Sequence, residues 1–152
     1  MAVSLDRVTK VDGPAELKIE VVDGNEPLQE WVQSYWNSFG MDPALVSDAV
    51  RIEAARPDSS RIVRFIARAE GVPVGTALMR AAHGVAGIFV VSTSPEYRHR
   101  GIGAALTAAA LEAGRQSGLH IGALQASASG APLYTRMGFE KVAEYQLFSV
   151  SH

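Results

Sequence analysis

Arg98, Gly101 and Gly103 fall in the stretch Ser92-Thr93-Ser94-Pro95-Glu96-Tyr97-Arg98-His99-Arg100-Gly101-Ile102-Gly103, between an apolar run and an alanine-rich segment. Glycines lack a Cβ, so a ligand can come close to the main chain just where a helix begins. The first turn of such a helix has N–H groups without intrahelical partners, at the positive end of its dipole. Arg98, His99 and Arg100 add charge to the same rim. Residue types and spacing together describe a cradle for a phosphate or pyrophosphate.

Two common phosphate motifs do not fit. A P-loop ends in Gly-Lys-Ser/Thr, but Gly103 is followed by Ala104 and Ala105. A dinucleotide fingerprint wants a third glycine where Leu106 stands and an acid about 20 residues on, where Ile121-Gly122-Ala123-Leu124 has none.

The stretch resembles the acyl-CoA loop of the GCN5-related N-acetyltransferase (GNAT) superfamily, Gln/Arg-x-x-Gly-x-Gly/Ala, with Arg98, Gly101 and Gly103 in register. A second segment, Leu133-Tyr134-Thr135-Arg136-Met137-Gly138-Phe139, resembles that family's Leu-Tyr-x-Lys/Arg-x-Gly-Phe at the usual separation. Within the superfamily, Ser92-Thr93-Ser94-Pro95 and Leu124-Gln125-Ala126-Ser127 are similar to an uncharacterised bacterial branch, and the similarity spans roughly Val72 to Phe148.

The resemblance implies an α+β fold, a mixed and mostly antiparallel sheet flanked by helices, whose fourth and fifth strands splay apart to admit pantetheine. It implies acetyl-CoA as co-substrate, held by Val91, Ser92 and Thr93 at the strand edge and by the amides of Arg98, His99, Arg100, Gly101, Ile102 and Gly103. Ser127, where many members carry asparagine, can still bond a pantetheine amide. Gly130 replaces a usual alanine. Tyr134 is the implied catalytic residue, beside the thioester sulfur. A phenol with an ordinary pKa near 10 is protonated at neutral pH and can hand a proton to a leaving thiolate. The general base is open among Glu53, His83 and Glu96, because the fourth strand has no acid and Gly122 occupies the family's fifth-strand position.

These residues need a frame. Leu17–Val21, Ile62–Ala69, Val74–Arg80, Val85–Val91, His120–Ala126 and Phe139–Val150 read as strands from their alternating or continuous apolar patterns. Helices are expected over Pro27–Phe39, from Asp42-Pro43 to Ile52, over Ala104–Ser117 with Ile102, Leu106, Ala109, Ala110 and Ala113 inward, and over Gly130–Met137. Trp31, Tyr35 and Trp36 either pack on the sheet or line an acceptor pocket. Residues 1–16 are expected to be a flexible lead-in, and 17–152 one acetyltransferase domain.

Composition narrows the class. A 47% hydrophobic, 20% charged chain of 152 residues is a soluble domain's worth of sequence. A net charge of −2 gives no reason to expect nucleic acid. With no cysteine there is no thiol nucleophile or zinc-thiolate site, and no metal is expected. No apolar run is long enough for a membrane, so the expected location is cytoplasmic. The expected function is direct transfer of acetyl from acetyl-CoA to a primary amine on a small molecule or peptide. The alternative is a non-catalytic acyl-CoA-binding sensor or partner module, favoured by the missing strand acids and by Ser127. The exposed end of the final strand is compatible with a homodimer.

Overall fold

A computed structural model describes residues 1–8, 11–146 and 148. The elements are β1 (Ala2–Ser4), β2 (Leu17–Val21), α1 (Asn25–Ser38), α2 (Val46–Ala54), β3 (Ile62–Ala69), β4 (Val72–Ala82), β5 (Val85–Thr93), α3 (Ile102–Gln116), β6 (Ile121–Leu124) and α4 (Ala131–Arg136). They form one six-stranded sheet in the order β1-β6-β5-β4-β3-β2. Every neighbouring pair is antiparallel except β5 and β6. The α+β architecture is thus as the sequence implied.

Each face of the sheet carries its own core. On one face α3 packs over β3, β4 and β5, with Leu106, Leu111 and Ile102 against Met79, Ala86 and Ile88. On the other, α1 and α2 set Trp31, Val32, Tyr35 and Ala49 against Ile66 and Leu78. Asp42 starts the second helical segment as expected, its carboxylate accepting from the Ala44 N–H at 2.9 Å. The first turn there is a 3-10 turn over Pro43–Leu45, and α2 follows it.

The α3 face differs from the expected stripe. Ala104, Ala105, Thr107, Ala108 and Gly114 are buried along with Leu106, whereas Ala109 and Ala113 are only half-buried. The helix is covered nearly all round, and small residues permit the close approach. A Cβ on Gly114 would lie 2.6 Å from that of Ala86.

Two expectations about the chain ends are corrected. The lead-in is not loose over its first residues. Ala2–Ser4 pairs with β6, and Leu5 and Val3 are buried; Thr9 and Lys10 lie outside the described residues. Among residues 139–146 the expected last strand does not form. Glu140 makes a single bridge to Ala2, and residues 141–146 belong to no strand. β1 lies along the edge of β6, and Glu140 meets the outer side of β1 at Ala2. The end of the expected strand, at residues 147 and 149–150, lies outside the described residues. The strand end proposed as a dimer surface is therefore not a feature of residues 141–146.

Candidate active site

β5 and β6 run in parallel register from Val85↔Ile121 to Ile88↔Leu124 and then part. Beyond Ile88, β5 continues alone on that side while still pairing with β4 through Thr76↔Ser92 and Gly75↔Thr93. Among the described strands none takes the free edge of β5 from Phe89 to Thr93.

At the parting, β5 is also bulged. Leu78 opposes Phe89 and Thr76 opposes Ser92, so Ala77 faces both Val90 and Val91. Val90 takes a left-handed φ of 53°, a costly conformation for a β-branched residue. Hydroxyls hold it there. The fully buried Thr76 donates from Oγ1 to the Val90 carbonyl at 2.8 Å and lies 2.8 Å from Ser92 Oγ. From the α1 side, the indole N–H of Trp31 reaches the Ala77 carbonyl at 3.4 Å and that of Phe65 at 3.0 Å.

The free end of β5 opens into a cleft of about 730 Å³. Its walls are Val91, Ser92 and Thr93, the turn and first residues of α3 from Arg98 through Gly103 except Arg100, and α4 with Leu133 and Tyr134. No side chain caps α3, whose Gly101 sits at φ 81°, a conformation that suits glycine. The first intrahelical bond runs from the Ala105 N–H to the Gly101 carbonyl at 3.0 Å. The N–H groups before it have no helical partner. His99 is also left-handed, at φ 63°. A Cβ on Gly103 would touch Leu133 at 3.6 Å and Thr93 at 3.8 Å, filling space between β5 and α4.

The cleft is basic. Arg98, His99 and Arg136 line it, and no carboxylate does so among the described residues. Arg98 also ties two walls together, donating from Nε to the Thr93 carbonyl at 3.2 Å and from Nη2 to that of Ser38 at 3.4 Å.

Tyr134 is buried on α4, its ring edge-on to Phe139 at 5.7 Å. Burial raises its pKa above 10, and a hydrogen bond with the Thr107 side chain offsets part of that rise. The phenol is therefore held in its protonated form. Thr107 itself donates to the Gly103 carbonyl at 2.8 Å, linking Tyr134 to the first turn of α3.

The structure brings together Val91, Ser92, Thr93, Arg98, His99, Gly101, Ile102, Gly103 and Tyr134. Arg100, expected for its main-chain amide, and Ser127 are not among the lining residues. Arg100 turns away, stacking its guanidinium 5.1 Å from the Tyr97 ring centre and donating to the Glu96 carbonyl. Ser127 is exposed and accepts from the Gly130 N–H at 3.1 Å, fixing the turn before α4. Room for that turn explains Gly130, where a Cβ would come within 3.3 Å of both Ser127 Oγ and the Tyr134 ring.

Of the possible bases, Glu53 is clamped by Arg64 at 2.6 Å and Arg56 at 3.3 Å. His83 lies in the β4–β5 turn, at the end of β5 remote from Thr93. Glu96 is exposed beside the cleft but not among its lining residues. Gly122 faces α3, where a side chain would collide with Leu111 and Leu5. Trp31 and Tyr35 belong to the core.

Ser38, Phe39 and Arg136 were missed. Arg136 stands two residues after Tyr134 in the same motif, a signal within reach. Ser38 and Phe39 reach the cleft only through the packing of α1, with no local mark in the sequence.

The fold is that of the acetyltransferases. A GCN5-related N-acetyltransferase from Kribbella flavida superposes with a TM-score of 0.70 at 25% identity, covering 91% of this chain and 52% of that one. This chain thus spans about half the length of that relative. A predicted acetyltransferase from Clostridium acetobutylicum, solved with acetyl-CoA, gives 0.70 at 18% identity over 88% of this chain and 96% of its own. AAC(6')-Iy, solved with the bisubstrate analogue CoA-S-monomethyl-acetylneamine, gives 0.69 at 18% over 91% and 100%. No curated protein matches in sequence. The Acetyltransferase (GNAT) family profile matches residues 25–139. The chain belongs to that family.

Proposed function

We propose that the protein transfers an acetyl group from acetyl-CoA directly to a primary amine. The observation that carries this is the parting of β5 from β6 beside the uncapped start of α3, with the Tyr134 phenol buried on α4 in the same cleft. A strand edge with free main-chain groups suits the amides of pantetheine. The N–H groups at the head of α3, the guanidinium groups of Arg98 and Arg136 and the imidazole of His99 suit its phosphates. Acetyl-CoA supplies an activated acyl group and a thiol leaving group.

The chain's own residues do the rest. The extra residue of the β5 bulge leaves main-chain groups out of the ladder, the kind of donor that a developing oxyanion needs. The amine nitrogen bonds to the carbonyl carbon, the carbon–sulfur bond breaks, and the sulfur takes the Tyr134 proton. The nitrogen loses a proton to solvent, and the phenol regains one. With no cysteine in the chain, an acyl-cysteine intermediate is ruled out, and holding both reactants in place supplies much of the rate. A cytoplasmic setting suits this chemistry; no described helix is long and apolar enough to cross a membrane.

Tyr134→Phe is expected to lower kcat by about 10²-fold or more, with CoA affinity by calorimetry unchanged. In the parent protein kcat/KM should rise with pH as the amine deprotonates. Because burial raises the phenol above 10, no fall from Tyr134 ionisation is expected until the pH exceeds that value. Equal turnover in the two proteins would remove Tyr134 from the chemistry. CoA raising the melting temperature, with no thiol released for any amine, would favour the non-catalytic binding module.

A further inference from the structure

A second hollow lies on the face of β5 and β6 that α1 and α2 leave uncovered, a groove of about 330 Å³. It begins where the strands part, with Phe89 on β5 and Leu124 and Gln125 on the β6 side. One residue, Val90, separates Phe89 from the Val91 of the acetyl-CoA cleft.

Its floor has a specific construction. A Cβ at Gly87 would lie 2.7 Å from Cε2 and 3.1 Å from Cζ of Phe89, so the ring lies back across the glycine against the sheet. The ring is nonetheless 45% exposed, presenting aromatic surface to the groove. Ala123 extends the floor on β6, and Val142 and Tyr145 of the C-terminal segment form a wall. Both wall residues are largely exposed.

The polar groups are few. Arg80 and the Met1 ammonium are the charged groups among those described in the lining, Arg80 engaged by Asp58 at 2.7 Å and the ammonium donating to the Leu124 carbonyl at 2.7 Å. No described lining residue is a carboxylate. A polyamine or a sugar bearing several ammonium groups would meet no counter-charge here. A flat apolar group would meet an aromatic floor and apolar walls.

We propose that this groove seats the acceptor of the reaction inferred above, and that the acceptor is a small primary amine on a short arm from an aromatic ring. Gly87 and Phe89 are its specificity residues. Glycine lets the ring lie flat, leaving depth for a second ring above it, while the arm carries the nitrogen past Phe89 toward the bulge at Val90 and Val91. Gln125, at the mouth, offers a neutral amide to the amine. The inference rests on the acetyl-transfer reading only for its direction of approach, and binding can be tested apart from turnover.

The probe is 4-fluorophenethylamine, followed by fluorine NMR with and without saturating CoA. Saturable binding is expected, displaced by tryptamine but not by ethanolamine or spermidine. Gly87→Ala should weaken it by about tenfold, since one added methyl in an apolar pocket discriminates on that scale. The half-exposed ring can swing away from the new methyl, so the fold should survive. Phe89→Leu, which removes the aromatic floor without adding bulk, should also weaken binding, and CoA affinity should be unchanged in both. Saturable, variant-sensitive binding without thiol release from acetyl-CoA would support the groove and overturn the transfer reading instead. Absence of saturable binding, equal displacement by spermidine, or indifference to both substitutions would overturn the groove.

Discussion

Thr76 has no reactive role, yet the site depends on it. Its hydroxyl lies in the sheet with no exposure, between the carbonyl of Val90 and the hydroxyl of Ser92. Since Thr76 donates to the carbonyl, Ser92 must donate to Thr76. Valine at this position has nearly the same shape and would leave both groups without that partner. Leaving a buried polar group unsatisfied costs about 1–3 kcal/mol. Thr76→Val should therefore lower the urea midpoint by a corresponding amount and weaken CoA binding, as the residue holding Val90 at φ 53° is lost. Thr76→Ser should restore both. Full CoA affinity in the valine variant would show that the bulge stands without its hydroxyls. None of this was legible in the sequence, because a threonine two residues into a hydrophobic strand looks like any other β-branched residue. Arg98, Gly101, Gly103 and Tyr134 were legible because their spacing is local.

Among the elements, the segment between α2 and β3 is held by charge more than by apolar contact. Asp58 accepts from Arg56 at 3.0 Å and from Arg80 at 2.7 Å, joining this segment to β4. The Arg56 guanidinium, followed by that of Arg80, holds the Asp58 carboxyl well below the usual carboxylate range. A carboxylate depressed in the folded state stabilises it above its unfolded pKa, about 3.9, and that contribution is lost as pH falls toward the folded value. Asp58→Asn should thus lower the melting temperature most at neutral pH. The gap between the two proteins should narrow as pH drops below about 4; a gap constant across that range would mean that the pairs contribute nothing through ionisation. Element identity was largely readable here. Asp42-Pro43 marked a helix start, and the alternation of Ile62–Ala69 marked a strand. What could not be read was which carboxylate would meet which arginine, since Asp58 and Arg80 are brought together only by the fold.

For the molecule as a whole, the informative differences lie at the two ends of the chain. Three residues are too few to show alternation, so Ala2–Ser4 had no strand signature, while Phe139–Val150 had one, of which the described residues form a single bridge from Glu140 to Ala2. Once β1 pairs with β6, Leu5 is carried over the α3 face, where it is 1% exposed and packs with Val3 and Leu111. Gly122 and Gly114 are the complementary surface. A Cβ on Gly122 would sit 3.3 Å from Val3 and 3.1 Å from Leu5, and one on Gly114 would be 3.5 Å from Leu5. The N-terminal residues therefore close the core instead of trailing from it. Leu5→Ala should cost about 2–5 kcal/mol, the range for emptying a buried leucine site, seen as a lower urea midpoint at unchanged slope. A loose lead-in would predict a change near zero. The same variant should leave the CoA-induced rise in melting temperature nearly intact, because Leu5 packs on the end of α3 near Gly114 and the candidate cleft opens at Gly101. Loss of that rise together with stability would mean that α3 transmits strain along its length, making the edge strand part of what shapes the cleft.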